Sequence, residues 1–254
     1  HAHISYFGEN IKIKYATNAS GAWVTDTVDS TPWRIDNSSL TIDTAGHAHI
    51  SYFYADYHSS DLKYATNASG TWVKTTVESR KGAWGNTGLT SSIALDKKGR
   101  VHIGYYDKSL MYATNASGKW VKTPVDKSRN VGWYISLVLD AKNHAYIGYY
   151  DATNTSLKYA TNASGRWIKT TVDEDGDVGW YTSLALDTTG SVHISYFDAT
   201  NTALKYTTNA SGEWANTTVG AGSYNSLALD ATDGAHIGFF DPLTYDLMYT
   251  TGIR

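Results

Sequence analysis

The chain has 254 residues, of which 41% are hydrophobic and 18% charged, and its formal net charge is −3. This composition is that of a folded protein and disfavours disorder. The weak negative charge and the lack of any basic run disfavour binding to nucleic acid or to anionic membranes. No apolar run reaches the roughly 18 residues of a membrane helix, so no membrane insertion is expected. The absence of cysteine excludes disulfides and thiolate metal sites.

A pattern of four short strands, here called A, B, C and D, recurs along the chain. Strand C carries the motif [LI]-[KM]-Y-[AT]-T, and successive tyrosines of this motif are 43 to 49 residues apart. The tyrosines are Tyr15, Tyr64, Tyr112, Tyr159, Tyr206 and Tyr249. This period is close to the roughly 40–50 residues of one four-stranded propeller blade.

The clearest copy of the repeat predicts strand A at 183–187, B at 193–198, C at 204–208 and D at 214–219. Each segment is short, rich in β-branched and aromatic residues, and bounded by turn-forming residues. No segment has a helical period with caps, so we expect almost no helix. Such sheets have two apolar faces, and packing them side by side as the blades of a β-propeller buries both. A β-solenoid is the alternative.

The repeats predict one all-β propeller domain over residues 1–254, with antiparallel four-stranded blades. Strands B and C occur six times, whereas A and D occur five times. We therefore favour six blades, the first lacking strand A and the last lacking strand D, with five blades as the alternative. The predicted repeat units span about 1–28, 38–78, 91–125, 135–173, 182–219 and 225–251.

The chain begins at His1, inside a repeat and without a methionine, so we expect a processed, fragmentary or engineered chain. An unpaired blade edge promotes pairing or aggregation. We therefore expect the D–A segment between the last and first repeats to exist elsewhere, for example in a neighbouring molecule.

An aspartate ends each strand A, and a histidine recurs in strand B. These residues face each other across the A–B turn, which predicts either an Asp–His or an Asp–backbone hydrogen bond there. The aspartates are Asp43, Asp96, Asp140, Asp187 and Asp230, and the histidines are His3, His49, His102, His193 and His236, with Tyr146 in the remaining copy. One histidine per blade does not supply convergent metal ligands, so we expect neither a metal nor another cofactor. The strand-D tryptophans are expected to pack between blades.

The D–A loops vary and are rich in aromatic residues, while an aspartate at the end of strand B opens the B–C loop on the same face. Rings beside polar acceptors suit a sugar, and variable loops on a rigid scaffold commonly bind ligands. The predicted ligand-binding residues are Trp84, Asp107, Trp133, Tyr134, Asp151, Trp180, Tyr181, Asp198, Tyr224 and Asp241. The alternative is that these rings only fill the clefts between blades. Glu174, Asp175 and Asp177 lack the spacing of a known calcium loop.

Two segments resemble known propeller families. Residues 186–198, with the pattern L-D-x-x-G-x-x-H-I-S-Y-F-D, resemble repeats of uncharacterised bacterial and archaeal surface propellers. The hairpin at 65–72 resembles the Asp-box turn of sialidase-type propellers, although Asn replaces the Asp and the Gly is shifted. Six-bladed fucose-binding lectins are similar in blade length and strand order. The resemblance implies a propeller and a secreted or cell-surface location, and it does not imply sialidase activity.

These observations favour a non-enzymatic, multivalent binding propeller with a glycan or another small molecule as its ligand. A protein-interaction or surface-structural propeller is the alternative. A glycosidase-type hydrolase is a third hypothesis, which needs a unique pair of carboxylates about 5–9 Å apart. Near-identical blades offer little that is unique.

Overall fold

The computed structural model describes residues 1–9, 11–82 and 86–253. Within these ranges all regular elements are β-strands, 22 in number, and they form six antiparallel sheets. The chain divides into two compact units, residues 1–124 and 125–254. The prediction of a single domain over the whole chain stays a prediction.

The first unit contains the first three sheets. Strands β1 (His3–Gly8), β2 (Lys12–Thr17) and β3 (Val24–Ser30) form the first sheet. The second sheet consists of β4 (Arg34–Ile42), β5 (Ala48–Ala55), β6 (Ser59–Thr66) and β7 (Val73–Lys81). The third sheet consists of β8 (Ser91–Leu95), β9 (Val101–Tyr106), β10 (Leu110–Thr114) and β11 (Val121–Asp126), and the boundary between the units falls inside β11.

The second unit contains the remaining sheets. The fourth sheet consists of β12 (Val131–Leu139), β13 (Ala145–Asp151), β14 (Ser156–Thr161) and β15 (Ile168–Asp173). The fifth consists of β16 (Val178–Leu186), β17 (Val192–Asp198), β18 (Ala203–Thr208) and β19 (Ala215–Ala221). The sixth consists of β20 (Ser223–Leu229), β21 (Ala235–Phe240) and β22 (Leu247–Ile253).

The sheets confirm the prediction of six blades over five. Among the described residues the first sheet contains strands B, C and D but no A, and the last contains A, B and C but no D. In the complete sheets the strands follow one another in chain order, so each is a simple meander. The predicted strand order within the repeat is therefore correct.

Strand A is longer than the sequence predicts. The segment before Ser183 was expected to be loop, but β16 begins at Val178, which pairs with Asp198. A register shift follows Trp180, and Tyr181 has a left-handed φ of 52°. The bulge lets the strand continue past an irregular residue, and no residue-pattern rule for strands anticipates this. The loop prediction for Trp133, Tyr134, Trp180, Tyr181 and Tyr224 was therefore wrong, because all five lie in strand A.

Within each unit the core lies between successive sheets. The strand-C residues Leu62 and Leu157 are fully buried. A β-carbon added to Gly88 would lie 2.8 Å from the Cα of Leu62, and one added to Gly179 would lie 2.8 Å from the Cα of Leu157. Gly88 lies just before β8, and Gly179 lies in β16, so each glycine brings the start of the next sheet against the leucine. Only glycine permits this close approach.

Buried ion pairs accompany the apolar contacts. In the second unit, Asp126 is fully buried and accepts hydrogen bonds from the Tyr149 hydroxyl at 2.9 Å and from the Lys158 and Lys169 Nζ atoms at 2.9 and 3.0 Å. Burial raises the pKa of Asp126, but the hydrogen bonds from both lysines, the Ser128 amide and Tyr149 outweigh it and lower that pKa. The carboxylate therefore stays charged and joins side chains of β13, β14 and β15 within the second unit.

The predicted aspartate–histidine contact exists and extends to a tyrosine. His193 Nε2 lies 3.3 Å from Asp187 Oδ2, and His193 Nδ1 lies 2.5 Å from the Tyr206 hydroxyl. With the proton on Nε2, the ring donates to the aspartate and accepts from the tyrosine. The same three-residue chain joins Asp43, His49 and Tyr64, and Asp230, His236 and Tyr249. The arrangement packs the A–B turn onto strand C and uses both ring nitrogens.

This network predicts a specific loss of stability in acid. Burial raises the pKa of Asp187, but hydrogen bonds from Thr189, the Ser191 amide and His193 outweigh it and lower the pKa to about 2, from 3.8 for a free carboxyl. A lowered folded-state pKa adds stability above the unfolded-state pKa and loses it as the pH falls through the folded one. We expect Asp187→Asn to be less stable than wild type above pH 4.

The measurement is urea unfolding of wild type and Asp187→Asn at several pH values between about 5 and 2. The difference in free energy of unfolding between wild type and Asp187→Asn should become smaller as the pH falls from about 4 to about 2. Glu213→Gln, a change at an exposed turn, controls for the loss of one carboxylate. A gap that stays constant or widens in acid would contradict the role assigned to Asp187.

Candidate functional site

Three tyrosines of the second unit occupy the same place in successive sheets. Tyr134, Tyr181 and Tyr224 each lie at the bulge of strand A, with φ values of 50°, 52° and 48°. A left-handed φ is uncommon for a bulky residue, and such strain clusters at functional sites. The repetition of the strain in three sheets makes this position the starting point of a candidate site.

The three tyrosines join Trp180 in one group of rings, here called the ring cluster. The ring centroids of Tyr181 and Tyr224 are 4.1 Å apart, and those of Tyr134 and Tyr181 are 4.8 Å apart. Tyr134 stacks on Trp180 at 5.4 Å. Tyr224 is 63% exposed, whereas the other three residues are half-buried. The cluster therefore presents aromatic surface on a partly buried base.

A carboxylate lies at the base of the ring cluster. Asp177 Oδ1 accepts hydrogen bonds from the Trp180 Nε1 at 2.8 Å and from the Tyr150 hydroxyl at 2.7 Å. The Asp177 amide donates to Thr200 Oγ1 at 2.8 Å, which fixes the backbone there. Because Asp177 is only partly buried, a ligand hydroxyl can reach its carboxylate.

Burial raises the pKa of Tyr134 and Tyr181 in the cluster and of Tyr150 beside it, so these three hydroxyls are neutral at physiological pH. Burial, helped by the hydrogen bond to Asp177, raises the pKa of Tyr150 to about 12. Burial and the neighbouring hydroxyls of Tyr224 and Tyr134 likewise raise the pKa of Tyr181. Neutral phenols both donate and accept hydrogen bonds, as the recognition of an uncharged polyhydroxy ligand requires.

The predicted residues around the cluster are placed as follows. Trp133 is half-buried, and its Nε1 donates to Asn130 Oδ1 at 2.9 Å. Asp151 is buried and accepts from the Thr153 and Asn154 amides and from the Asn154 side chain. Asp198 makes the corresponding bonds to Asn201. These carboxylates cap the B–C turns.

The remaining predicted residues include two more carboxylates with partners. Asp107 accepts from Arg80 Nε at 2.7 Å and from Thr87 Oγ1 at 2.9 Å. Asp241 accepts from the Leu243 amide at 2.8 Å, within its own turn. Trp84 lies outside the described residues. The structure thus brings the predicted tyrosines and Trp180 together. It also places Asp177 beside them, a residue that the sequence analysis considers only for a calcium loop and rejects there.

A second aromatic recess lies in the first unit and was not predicted. Trp33 and Tyr57 meet edge to face with their ring centroids 4.7 Å apart. They line an open recess of about 440 Å³ together with Ile11, Pro32, Arg34 and Ile35. Pockets of about 300–1,000 Å³ are typical of small-molecule sites. In the sequence, the segment between strands B and C is longer in this repeat than in the others, and it carries Tyr57, which is 57% exposed. This difference was the signal from which the recess could have been predicted.

The described residues contain no group of three or more histidine, aspartate or glutamate side chains placed to hold a metal ion. Among the same residues there is no helix long and apolar enough to cross a membrane.

Comparisons with known proteins identify the fold. No family model matches the chain, and a search of curated proteins gives no match. A variant of the Aleuria aurantia lectin in complex with Fucα1-6GlcNAc is similar in structure, with a TM-score of 0.64, 11% identity, and coverage of 99% of this chain and 88% of the lectin. A Streptococcus pneumoniae NanB sialidase gives a TM-score of 0.57 at 9% identity, over 97% of this chain and 64% of the sialidase.

A protein of unknown function from Dyadobacter fermentans is also similar, with a TM-score of 0.60 at 10% identity, over 82% of this chain and 75% of that protein. Identities this low show the fold alone. These structural similarities and the six antiparallel sheets together establish that the chain is a β-propeller, a fold also found in lectins and sialidases.

Proposed function

We propose that this protein is a non-enzymatic carbohydrate-binding propeller and that the ring cluster of the second unit is its binding face. The observation that carries the proposal is the group of four rings, three of them on strained strand-A bulges, beside the carboxylate of Asp177. The apolar face of a sugar packs on aromatic rings, and its hydroxyls bond to neighbouring polar groups. The cluster supplies both.

The recess at Trp33 and Tyr57 is proposed as a second, weaker site. Its edge-to-face rings and apolar walls fit one sugar face, although the Arg34 side chain is already held by Asp36. Two weak sites on one molecule bind a multivalent surface glycan more tightly than either site alone. A secreted or surface location, where such glycans are met, is part of the same proposal.

Two other functions remain as alternatives. The lectin among the similar structures is bound to a fucoside disaccharide, but the sialidases in the same group are enzymes. A glycosidase needs two cooperating carboxylates. In the described part of the ring cluster, Asp177 is the carboxylate that contacts the rings. This favours binding over hydrolysis, and a protein ligand is the remaining alternative.

The experiment is a glycan array probed with labelled wild type, Trp180→Ala and Trp23→Ala. Trp23 is a 55% exposed ring in the first unit, outside the ring cluster, so it controls for general aromatic stickiness. We expect Trp180→Ala to lose about tenfold or more in affinity, since it removes both a stacking surface and one of the two side-chain donors to Asp177. Trp23→Ala should bind as wild type does.

Thermal unfolding must show that Trp180→Ala is folded at the assay temperature. If wild type binds no glycan at millimolar concentration, the carbohydrate proposal fails and a protein ligand is favoured. Turnover of an aryl glycoside that Asp177→Asn abolishes would instead make the protein a hydrolase.

A further inference from the structure

The hydrogen bond between Trp180 and Asp177 has a neutral counterpart one sheet earlier. The segments that lead into β12 and β16 share the pattern [ND]-V-G-W-Y. Trp180 Nε1 donates to Asp177 Oδ1 at 2.8 Å. At the same place in the earlier segment, Trp133 Nε1 donates to Asn130 Oδ1 at 2.9 Å. An amide oxygen therefore holds the tryptophan as well as a carboxylate oxygen does, so this contact does not require the negative charge at position 177.

The charge of Asp177 also has no partner within the described chain. Its Oδ1 accepts hydrogen bonds from Trp180 and from the Tyr150 hydroxyl, whereas its Oδ2 makes no hydrogen bond to any described residue. Asp126 of the same unit, by contrast, forms an ion pair with Lys158 at 2.9 Å. A half-buried charge without a counter-ion costs free energy. Its presence at the ring cluster therefore points to a cationic group that comes from outside the chain.

The loop that ends at Asp177 is acidic as a whole. Glu174 and Asp175 are both exposed, and within the described residues neither forms an ion pair. The chain length places their backbones within about 11 Å of Asp177, close to the screening distance of about 8–10 Å in physiological salt. The corresponding loop before β12 instead carries Lys127 and Arg129. The negative charge is thus a property of the Asp177 loop and not of the repeat.

The rings of the cluster favour the same sign of ligand charge. The face of an aromatic ring is electron-rich and attracts ammonium groups. The Tyr224 ring, which is 63% exposed, offers such a face to a ligand, and its centroid lies 4.1 Å from that of Tyr181. The neutral tyrosine hydroxyls meanwhile suit the hydroxyl groups of a sugar. A sugar that carries an ammonium group would satisfy the rings, the hydroxyls and the carboxylate together.

We propose that the ring cluster binds a glycan with free amino groups and that Asp177 determines this specificity. Asp177 Oδ2 accepts a hydrogen bond from the ammonium group of an amino sugar, while the rings contact the sugar itself. Hydrogen bonds between ionised groups are roughly twice as strong as neutral ones. N-acetylation removes the positive charge, so the acetylated form of the same glycan should bind more weakly. This inference rests on the proposed function, because it names the class of sugar bound at the same site.

The test compares two tetramers of β-1,4-linked glucosamine, one with free amines and one fully N-acetylated. Each is titrated calorimetrically into wild type, Asp177→Asn and Glu213→Gln, in mildly acidic buffer where the free amines are protonated. We expect wild type to bind the free-amine tetramer about tenfold or more tightly than the acetylated one. Asp177→Asn should bring the ratio of the two affinities close to one, and added salt should lower the ratio for wild type.

Glu213→Gln is the matched control, since it removes the same charge at an exposed turn between β18 and β19. This variant should keep the wild-type ratio. Asp177→Asn should remain folded, because Asn130 occupies the same place in the fourth sheet, and thermal unfolding checks this. Equal affinity of wild type for the two tetramers would overturn the inference, and so would a preference that Asp177→Asn retains.

The remaining outcomes separate this inference from the proposed function. If wild type binds neither tetramer but binds a neutral glycan on the array, and Trp180→Ala abolishes that binding, the inference fails while the proposed function stands. If no glycan binds, both fail. Binding of a tetralysine peptide that depends on Asp177, without binding of either tetramer, would overturn the inference and identify a basic peptide as the ligand.

Discussion

Replacing Asp126 by alanine should lower the free energy of unfolding by about 3 kcal/mol. The variant removes the acceptor for the fully buried Tyr149 and for the Lys158 and Lys169 ammonium groups. Lys158 retains a contact at 3.5 Å with Asp151, whereas the Tyr149 hydroxyl loses the partner described here. Breaking one side of a buried charged network costs more than the network contributes as a whole, because the remaining groups stay desolvated. Urea unfolding followed by circular dichroism measures the change.

Lys127→Ala is the control for Asp126→Ala, since it removes an exposed charge at the adjacent position and should change stability by less than about 0.5 kcal/mol. Lys158→Met in the Asp126→Ala background should recover part of the loss, because it removes a buried ammonium group that keeps only its 3.5 Å contact with Asp151. Equal stability of Asp126→Ala and Lys127→Ala would show that the buried network does not stabilise the fold.

Replacing Gly179 by alanine should lower the free energy of unfolding by about 3 kcal/mol or more. The new β-carbon would lie 2.8 Å from the Cα of Leu157 and 3.1 Å from its backbone nitrogen. A flexible side chain could move aside, but backbone in the middle of a sheet cannot. The left-handed φ of 107° adds strain for any residue with a side chain. Because Trp180 follows directly, the displaced strand should also weaken glycan binding.

Gly190→Ala separates the clash from the strain. Gly190 has a similar φ of 89°, but an added β-carbon there meets nothing within 4 Å. Gly190→Ala should therefore lower the free energy of unfolding by only about 1–2 kcal/mol, which is the cost of the left-handed backbone conformation alone. If both alanine variants lose the same stability, close packing of strand A on Leu157 is not what requires glycine at 179.

The strands of each sheet could be predicted from the sequence because every repeat carries the same marker residues at the same positions. The strand-C tyrosine, the strand-D tryptophan and the Asn-Ala-Ser-Gly turn recur at a fixed spacing, so the strand order and the incomplete terminal sheets could be predicted. The aspartate–histidine contact was also predictable, since both residues flank one turn. Its continuation to Tyr206 was not, because it depends on which strand-B and strand-C side chains share a face.

The candidate site was less predictable. Tyr181 lies on a bulge with a left-handed φ, a conformation that sequence rules assign to glycine or asparagine rather than tyrosine. The pairing of Asp177 with Tyr150 and Trp180 depends on the offset between two sheets, which no single repeat shows. By contrast, the D-A-T-N sequence that follows strand B at 151–154 and at 198–201 is typical of an aspartate-capped turn, and these two turns are predictable from it.

A calorimetric titration of the glycan selected on the array, into wild type, Tyr224→Ala and Tyr224→Phe, tests the central claim most directly. The Tyr224 ring is 63% exposed, so its removal should leave the fold intact. We predict that the alanine variant loses about tenfold in affinity, while the phenylalanine variant, which keeps the stacking ring, stays near wild type. Equal affinity of all three proteins would contradict a binding face at the ring cluster.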